Sequence, residues 1–174
     1  PANKVFYVPI NIDCSTATAG VQFFLWNRNT NTQRIYLRRI NLAIANYQTA
    51  TPNASYQCTV LKYAVTVTAI TGGNTLTPVP RVAGDTSFTT SGDIQATATG
   101  ATPITPTGGS SVRFAQPKCV IGTTSFVASY RFDYCPGFGS YRQFVLKPGE
   151  GFALAGSNSK VSYLGYVEWE ETLL

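Results

Sequence analysis

The chain has 174 residues, 44% hydrophobic and 13% aromatic but only 12% charged, with a net charge of +5 and no histidine or methionine. That composition excludes intrinsic disorder, and the length is that of one ordinary domain, able to bury a core without a metal or disulfide. The missing histidine removes the commonest general base, proton shuttle and metal ligand together, which argues against most enzyme classes and points to no cofactor.

No stretch sustains a helical period. What recurs is apolar alternation at a spacing of two among β-branched and aromatic residues, the mark of half-buried strands. Strands are expected at Lys4–Ile10, Val21–Asn27 and Arg34–Ala45. In the third, the apolar positions are odd at Ile35 and Leu37, then even at Ile40, Leu42 and Ile44. A strand buried on one face cannot change parity without a bulge, which is placed at Arg38-Arg39. A fourth segment sets Leu61, Tyr63, Val65 and Val67 against Lys62, Thr66 and Thr68, with a parity change between Val60 and Leu61. Two long strands that both change face suggest strands bent from one sheet into another.

Residues 71–112 are dominated by Thr, Gly, Pro, Ala and Ser, with Arg81, Asp85 and Asp93 as the only charges. Turns are expected at Thr71–Asn74 and Pro106–Gly109. Leu76, Val79, Phe88 and Ile94 supply apolar anchors, so the stretch reads as an extended excursion packed on a partner, with a short strand at Ile94–Thr99. Asp85 and Asp93 each follow glycine and read as turn residues that bond their own backbone. Further on, Ser125–Phe132 alternates cleanly, with Phe126, Ala128, Tyr130 and Phe132 on one face. Arg142–Leu146 and Gly151–Ala155 flank the turn Lys147-Pro148-Gly149-Glu150-Gly151, expected to do no more than reverse the chain between them. Lys160–Glu170 puts Val161, Tyr163, Val167 and Trp169 inward and Ser162, Glu168 and Glu170 outward. About nine strands at short spacings make an all-β protein, an antiparallel β-sandwich in a single unit over residues 1–174.

Charge is unevenly placed. Residues 1–149 hold twelve basic and four acidic residues, whereas residues 150–174 hold Lys160 against Glu150, Glu168, Glu170 and Glu171. A basic body with an acidic end suits docking on an acidic partner, or head to tail on copies of itself. Cys14, Cys58, Cys119 and Cys135 have no CxxC spacing, so no zinc site is expected. With Pro1-Ala2-Asn3 read as a start trimmed of Met, they are expected to be reduced thiols in a protein made in a cytoplasm, Cys58 as a small buried hydrophobe. Asp13-Cys14-Ser15 places an acid beside a thiol, which raises the thiol's pKa and does not activate it. Gly137-Phe138-Gly139 lacks the Lys and helix of a phosphate loop. No apolar run approaches the roughly 20 residues that span a membrane. Arg34, Arg38 and Arg39 lie among Tyr36 and Tyr47, but the basic residues are few and no basic arm accompanies them, so no direct nucleic-acid contact is expected.

Four segments, in this order, carry a resemblance: the strand Arg34–Ile40, the Thr/Gly/Pro excursion with Gly72–Pro78, the turn Leu146–Gly151 and the closing strand Gly165–Glu170. Together they resemble small jelly-roll virion proteins of tailed bacteriophages, the decoration or cement proteins of the head. The resemblance implies a jelly-roll β-sandwich, a homotrimer seated on the major capsid protein at the virion exterior after synthesis in the bacterial host. It implies no catalytic residue and no membrane. On that reading Arg28, Arg34, Arg38 and Arg39 contact an acidic shell. Phe88 and Ile94 of the excursion, with Glu168, Glu170, Glu171, Leu173 and Leu174 of the acidic end, make oligomer contacts, and Lys4–Ile10 could be an exchanged edge strand. Three other readings stay open. The first, an enzyme such as a glycan lyase using Tyr and Arg, lacks any convergent signature; the other two are binding or shell proteins. One is a tail or fibre module that binds host glycans through Tyr134, Phe138 and Tyr141. The other is the shell protein of a small icosahedral virus.

Overall fold

The alternation seen in the sequence becomes pleated strands because β-branched and aromatic side chains at every second position can be buried on one face while their neighbours stay wet. A computed structural model describes residues 4–12, 20–47, 55–64, 66–96, 104–115, 118–120, 131–134, 144–156 and 161–173. Fifteen strands lie among them. The first eight are β1 (Lys4–Ile12), β2 (Gly20–Trp26), β3 (Gln33–Tyr47), β4 (Ser55–Tyr63), β5 (Val67–Thr71), β6 (Asn74–Thr75), β7 (Val79–Pro80) and β8 (Ile94–Ala96). They are followed by β9 (Thr105–Gly108), β10 (Ser111–Ala115), β11 (Lys118–Val120), β12 (Arg131–Tyr134), β13 (Val145–Leu146), β14 (Gly151–Gly156) and β15 (Val161–Leu173).

They form an antiparallel β-sandwich. One sheet runs β12-β3-β15-β1-β7, with β13 also on β3; the other runs β10-β4-β14-β2-β8-β6, with β11 also on β4. This order is consistent with the jelly roll expected from the sequence. Between the sheets lies the main core, with Phe6 and Val8 of β1, Ile35 and Ile40 of β3, Phe152 and Leu154 of β14, and Val167 and Trp169 of β15. Aromatic rings line the core: Phe6 meets Trp169 within one sheet at 6.3 Å, and Phe144 stands edge-on to Phe152 of the opposite sheet at 5.5 Å, the offset geometries that ring quadrupoles favour.

The bulge expected at Arg38-Arg39 is present. Glu168 of β15 sits opposite Arg39 and Trp169 opposite Leu37, so Arg38 is the extra residue on β3. The strand nevertheless stays beside β15 along its length and does not cross between sheets, so the bulge alone absorbs the parity change. β4 itself carries no extra residue: it pairs β14 without interruption from Cys58 to Tyr63, and the irregularity beside Val60-Leu61 lies in its neighbour β10, between Arg113 and Ala115. Leu61 and Tyr63 are apolar on the far side of Val60 because that side is buried too.

What buries it is the excursion. β5 and β9 pair as a two-stranded ribbon over the outer face of the β4–β14–β2 sheet, where Val67, Ile70 and Ile104 pack with Phe24, Trp26 and Ala153 in a second apolar cluster. Leu76 and Phe88 pack against the main core, and Ile94 is fully buried within it. The anchors expected to meet a partner therefore meet their own chain. The Pro148-Gly149 turn also does more than reverse direction. Gly149 has φ of 90°, as the third position of a type II turn requires, and the turn carries the chain from β13 on one sheet to β14 on the other. It is clamped there: Gly149 N donates to Asn27 O and Val67 N to Gly149 O. Lys4–Ile10 pairs β15 along its whole length on one side, and on the other β7 covers it at Phe6 and Tyr7 only. Most of Ser125–Phe132 and all of Arg142–Gln143 lie outside the described residues, as do the side chains of all four cysteines.

Two outcomes test this packing. A Cβ at Gly165 would stand 1.8 Å from the Asn41 carbonyl oxygen of the neighbouring strand. Gly165→Ala is therefore expected to lose at least about 1–3 kcal/mol in urea unfolding, the cost of forced overpacking. Burial also pushes the Tyr63 phenol above its ordinary value of 10.0. The native state then holds this proton more tightly than the unfolded chain, so stability is intact below pH 10 and falls as pH rises through the folded value. Tyr63→Phe is expected to flatten that alkaline limb in unfolding curves taken at successive pH values.

Candidate interaction face

Of the sandwich's two outer faces, the ribbon covers one. The other, formed by β3, β15 and β1, has no such cover among the described residues. Positions that alternate with the core residues project there: Arg34, Tyr36, Arg38 and Arg39 from β3, Tyr166, Glu168 and Glu170 from β15, and Tyr7 from β1. The bulge matters to this set. Without the extra residue, Arg38 and Arg39 would point to opposite faces; with it, both can lie outside while Leu37 and Ile40 stay inside.

The charges on this face are largely matched within the chain. Arg38 Nη1 lies 2.9 Å from Glu170 Oε2. Arg81, from the loop after β7, places Nη2 2.6 Å from Glu168 Oε2 and holds its guanidinium 4.4 Å from the Tyr7 ring centre and 5.8 Å from that of Tyr166. Each exposed pair contributes less than about 1 kcal/mol to stability, so their main effect is to fix side chains in place. Arg34 is exposed beside Thr172. Among the described side chains of this face, four arginines stand against two glutamates, a net positive balance. Leu164, 46% exposed, extends it along β15 with an apolar group.

The residues singled out in the sequence separate in space. Arg34, Arg38 and Arg39 share this face, but Arg28 does not: it pairs with Asp93 and stacks 4.9 Å over Trp26. Asp93, 1% exposed, also accepts from the backbone and hydroxyl of Thr90 at 2.8 Å each, the local backbone bond expected of it. The Glu side chains do not extend as a free acidic end. Glu168 and Glu170 face the arginines of their own chain, and Glu171 turns inward. It is 5% exposed and accepts from Ser87 Oγ, Phe88 N, Thr89 Oγ1 and Trp169 Nε1, four neutral donors that tether the excursion to β15. Ile94 and Glu171 therefore have no side-chain surface to offer another copy, and Phe88 is half-buried against the core. The Leu173 side chain and Leu174, like Phe138, Tyr141 and the side chain of Tyr134, lie outside the described residues. Sequence reasoning missed Tyr7, Tyr166 and Arg81. The signal for the tyrosines is their parity opposite Phe6 and Val167; for Arg81 it is a lone cation in a neutral stretch.

No protein-family model, curated protein or solved structure matches the chain.

Glu170 and Glu171 are adjacent in sequence and opposite in setting, which gives a paired test. Glu171→Ala is expected to leave four buried donors unanswered and lose about 2–4 kcal/mol of stability. Glu170→Ala should lose under about 1 kcal/mol. Urea unfolding of the two variants side by side checks both.

Proposed function

We propose that the chain is a structural virion protein whose activity is binding: a capsid decoration or cement protein that docks on the major capsid protein as an oligomer, a homotrimer on the resemblance, and holds the head together. The observation that carries this reading is the open β3–β15–β1 face. Tyrosine and arginine are the side chains that dominate protein–protein hot spots, because both bury large areas and keep a polar handle. Here three tyrosines stand beside Arg38, fixed by Glu170, and Arg81, fixed by Glu168 and two ring faces, so these two side chains have little entropy left to lose on docking. The residual positive charge favours an acidic surface and a fast, salt-dependent encounter. Strand order adds support, since sheets running β12-β3-β15-β1 and β10-β4-β14-β2 are consistent with a jelly roll, an architecture of viral shells. Stabilisation of the head would follow from mass action: a protein that binds only the assembled lattice lowers the lattice's free energy at every occupied site.

The test is co-sedimentation of the purified protein with mature capsids that lack it, across a salt series. Saturation at a fixed ratio to capsid subunits, with affinity falling as salt rises, is the expected result. Arg34→Glu, at an exposed position with no packing to disturb, should weaken binding about tenfold at low salt. Absence of binding at every salt concentration, or assembly of the protein alone into closed shells, contradicts the proposal.

A further inference from the structure

Away from the open face, the loops spanning 77–80 and 85–91 border a solvent-open cleft of about 330 Å³, at the lower end of the range of about 300–1,000 Å³ typical of ligand sites. Its chemistry follows from where its hydroxyl protons go. Ser87 and Thr89 donate to the buried Glu171 carboxylate, and Thr90 donates to the buried Asp93. A hydroxyl has one proton, so each of these oxygens has only lone pairs left for anything entering the cleft. Asp85 adds an ionised carboxylate, which also accepts only, and it has no basic partner among the described residues. Pro78 and Pro80 contribute apolar walls that lack a backbone N–H. Thr77, Thr86 and Ser91 complete the polar lining with hydroxyls that can accept or donate, so the cleft offers three fixed acceptors, three adaptable hydroxyls and one negative charge, with hydrocarbon beside its polar atoms.

We propose that this cleft is a receptor for an ammonium group on an aliphatic stem, presented as a lysine side chain by a partner protein. The stem packs on the prolines while the three N–H donors of the head meet scattered, singly placed acceptors. A guanidinium fits less well, because its planar fork is matched by a carboxylate approached in its plane, and here a single carboxylate stands among hydroxyls. A calcium ion wants six to eight oxygens with several carboxylates among them. A sugar wants an exposed aromatic plate, whereas Phe6, the one ring lining the cleft, is only 1% exposed. The hydroxyl orientation is held by Glu171 and Asp93, so the acceptors are set before a ligand arrives.

The experiment is an NMR titration of the full chain with Nα-acetyl-lysine methylamide, and with the norleucine analogue, which keeps the stem and loses the charge. Saturable shifts confined to amides of 77–80 and 85–91, produced by the lysine compound and not by norleucine, are expected. Asp85→Asn should weaken that binding about fivefold while leaving the thermal midpoint unchanged, because Asp85 lies on a surface loop. Equal response to both compounds, no response to either, tighter binding of arginine, calcium or glucose at the same residues, or an Asp85→Asn variant that binds as before would each overturn the proposal. The cleft and the open face are probed by different variants, so failure of one leaves the other standing.

Discussion

The closing strand is the constraint from which the rest of the molecule follows. β15 lies between β3 and β1, paired with β3 from Val161 to Leu173 across two register shifts and with β1 from Tyr163 to Glu171 without interruption. A strand hydrogen-bonded on both sides with one face in the core must obey strict alternation, since a slip of one residue would put Val167 and Trp169 in water and Glu168 and Glu170 in the core. Its position also joins parts of the chain more than 130 residues apart, as in the Arg38–Glu170 pair. Only glycine fits at position 165, because the Asn41 carbonyl occupies the space where a Cβ would stand. Even the excursion depends on this strand, because Glu171 reaches off its inner face to hold Ser87, Phe88 and Thr89.

From that arrangement comes the inequality of the two outer faces. The excursion has one apolar ribbon, and it lies on the β4–β14–β2 sheet, where Phe24 and Trp26 would otherwise be exposed beside each other. Among the described residues, Leu164 is the one strongly exposed large apolar side chain on the outside of the β3–β15–β1 sheet. That face otherwise carries tyrosines, arginines and glutamates, with one bulge adding a second arginine to the row. A face so composed is stable in water and still able to bury aromatic area against a partner. That is the physical content of the proposed role: the surface that the fold leaves open is the one suited to docking.

Much of this was legible in the sequence where one face is wet and the other dry. The alternation of Val167 and Trp169 with Glu168 and Glu170 marked the last strand, and the parity change across Arg38-Arg39 located the bulge. The unbroken run Phe23-Phe24-Leu25-Trp26 carried a signal of a different kind: a strand apolar at every position is buried on both faces, which required a cover for the second sheet. Phe88 and Ile94 were expected to face a partner, because an anchor's apolarity says that it is buried and not by what. Glu171 was grouped with Glu168 and Glu170 for its charge, although its parity with Val167 and Trp169 put it inside. The partners of the acidic residues were not legible at all. They depend on β15 inserting between strands drawn from the far end of the chain, a non-local fact that no local pattern encodes.

The most direct test of the account is an electron cryomicroscopy reconstruction of decorated capsids at a resolution that separates side chains. The account predicts the β3–β15–β1 face turned to the shell, with Arg34, Arg39, Tyr36 and Tyr166 within contact distance of acidic capsid residues and the β5–β9 ribbon directed away. A reconstruction with that face turned to solvent, or with the ribbon seated on the capsid, would contradict it.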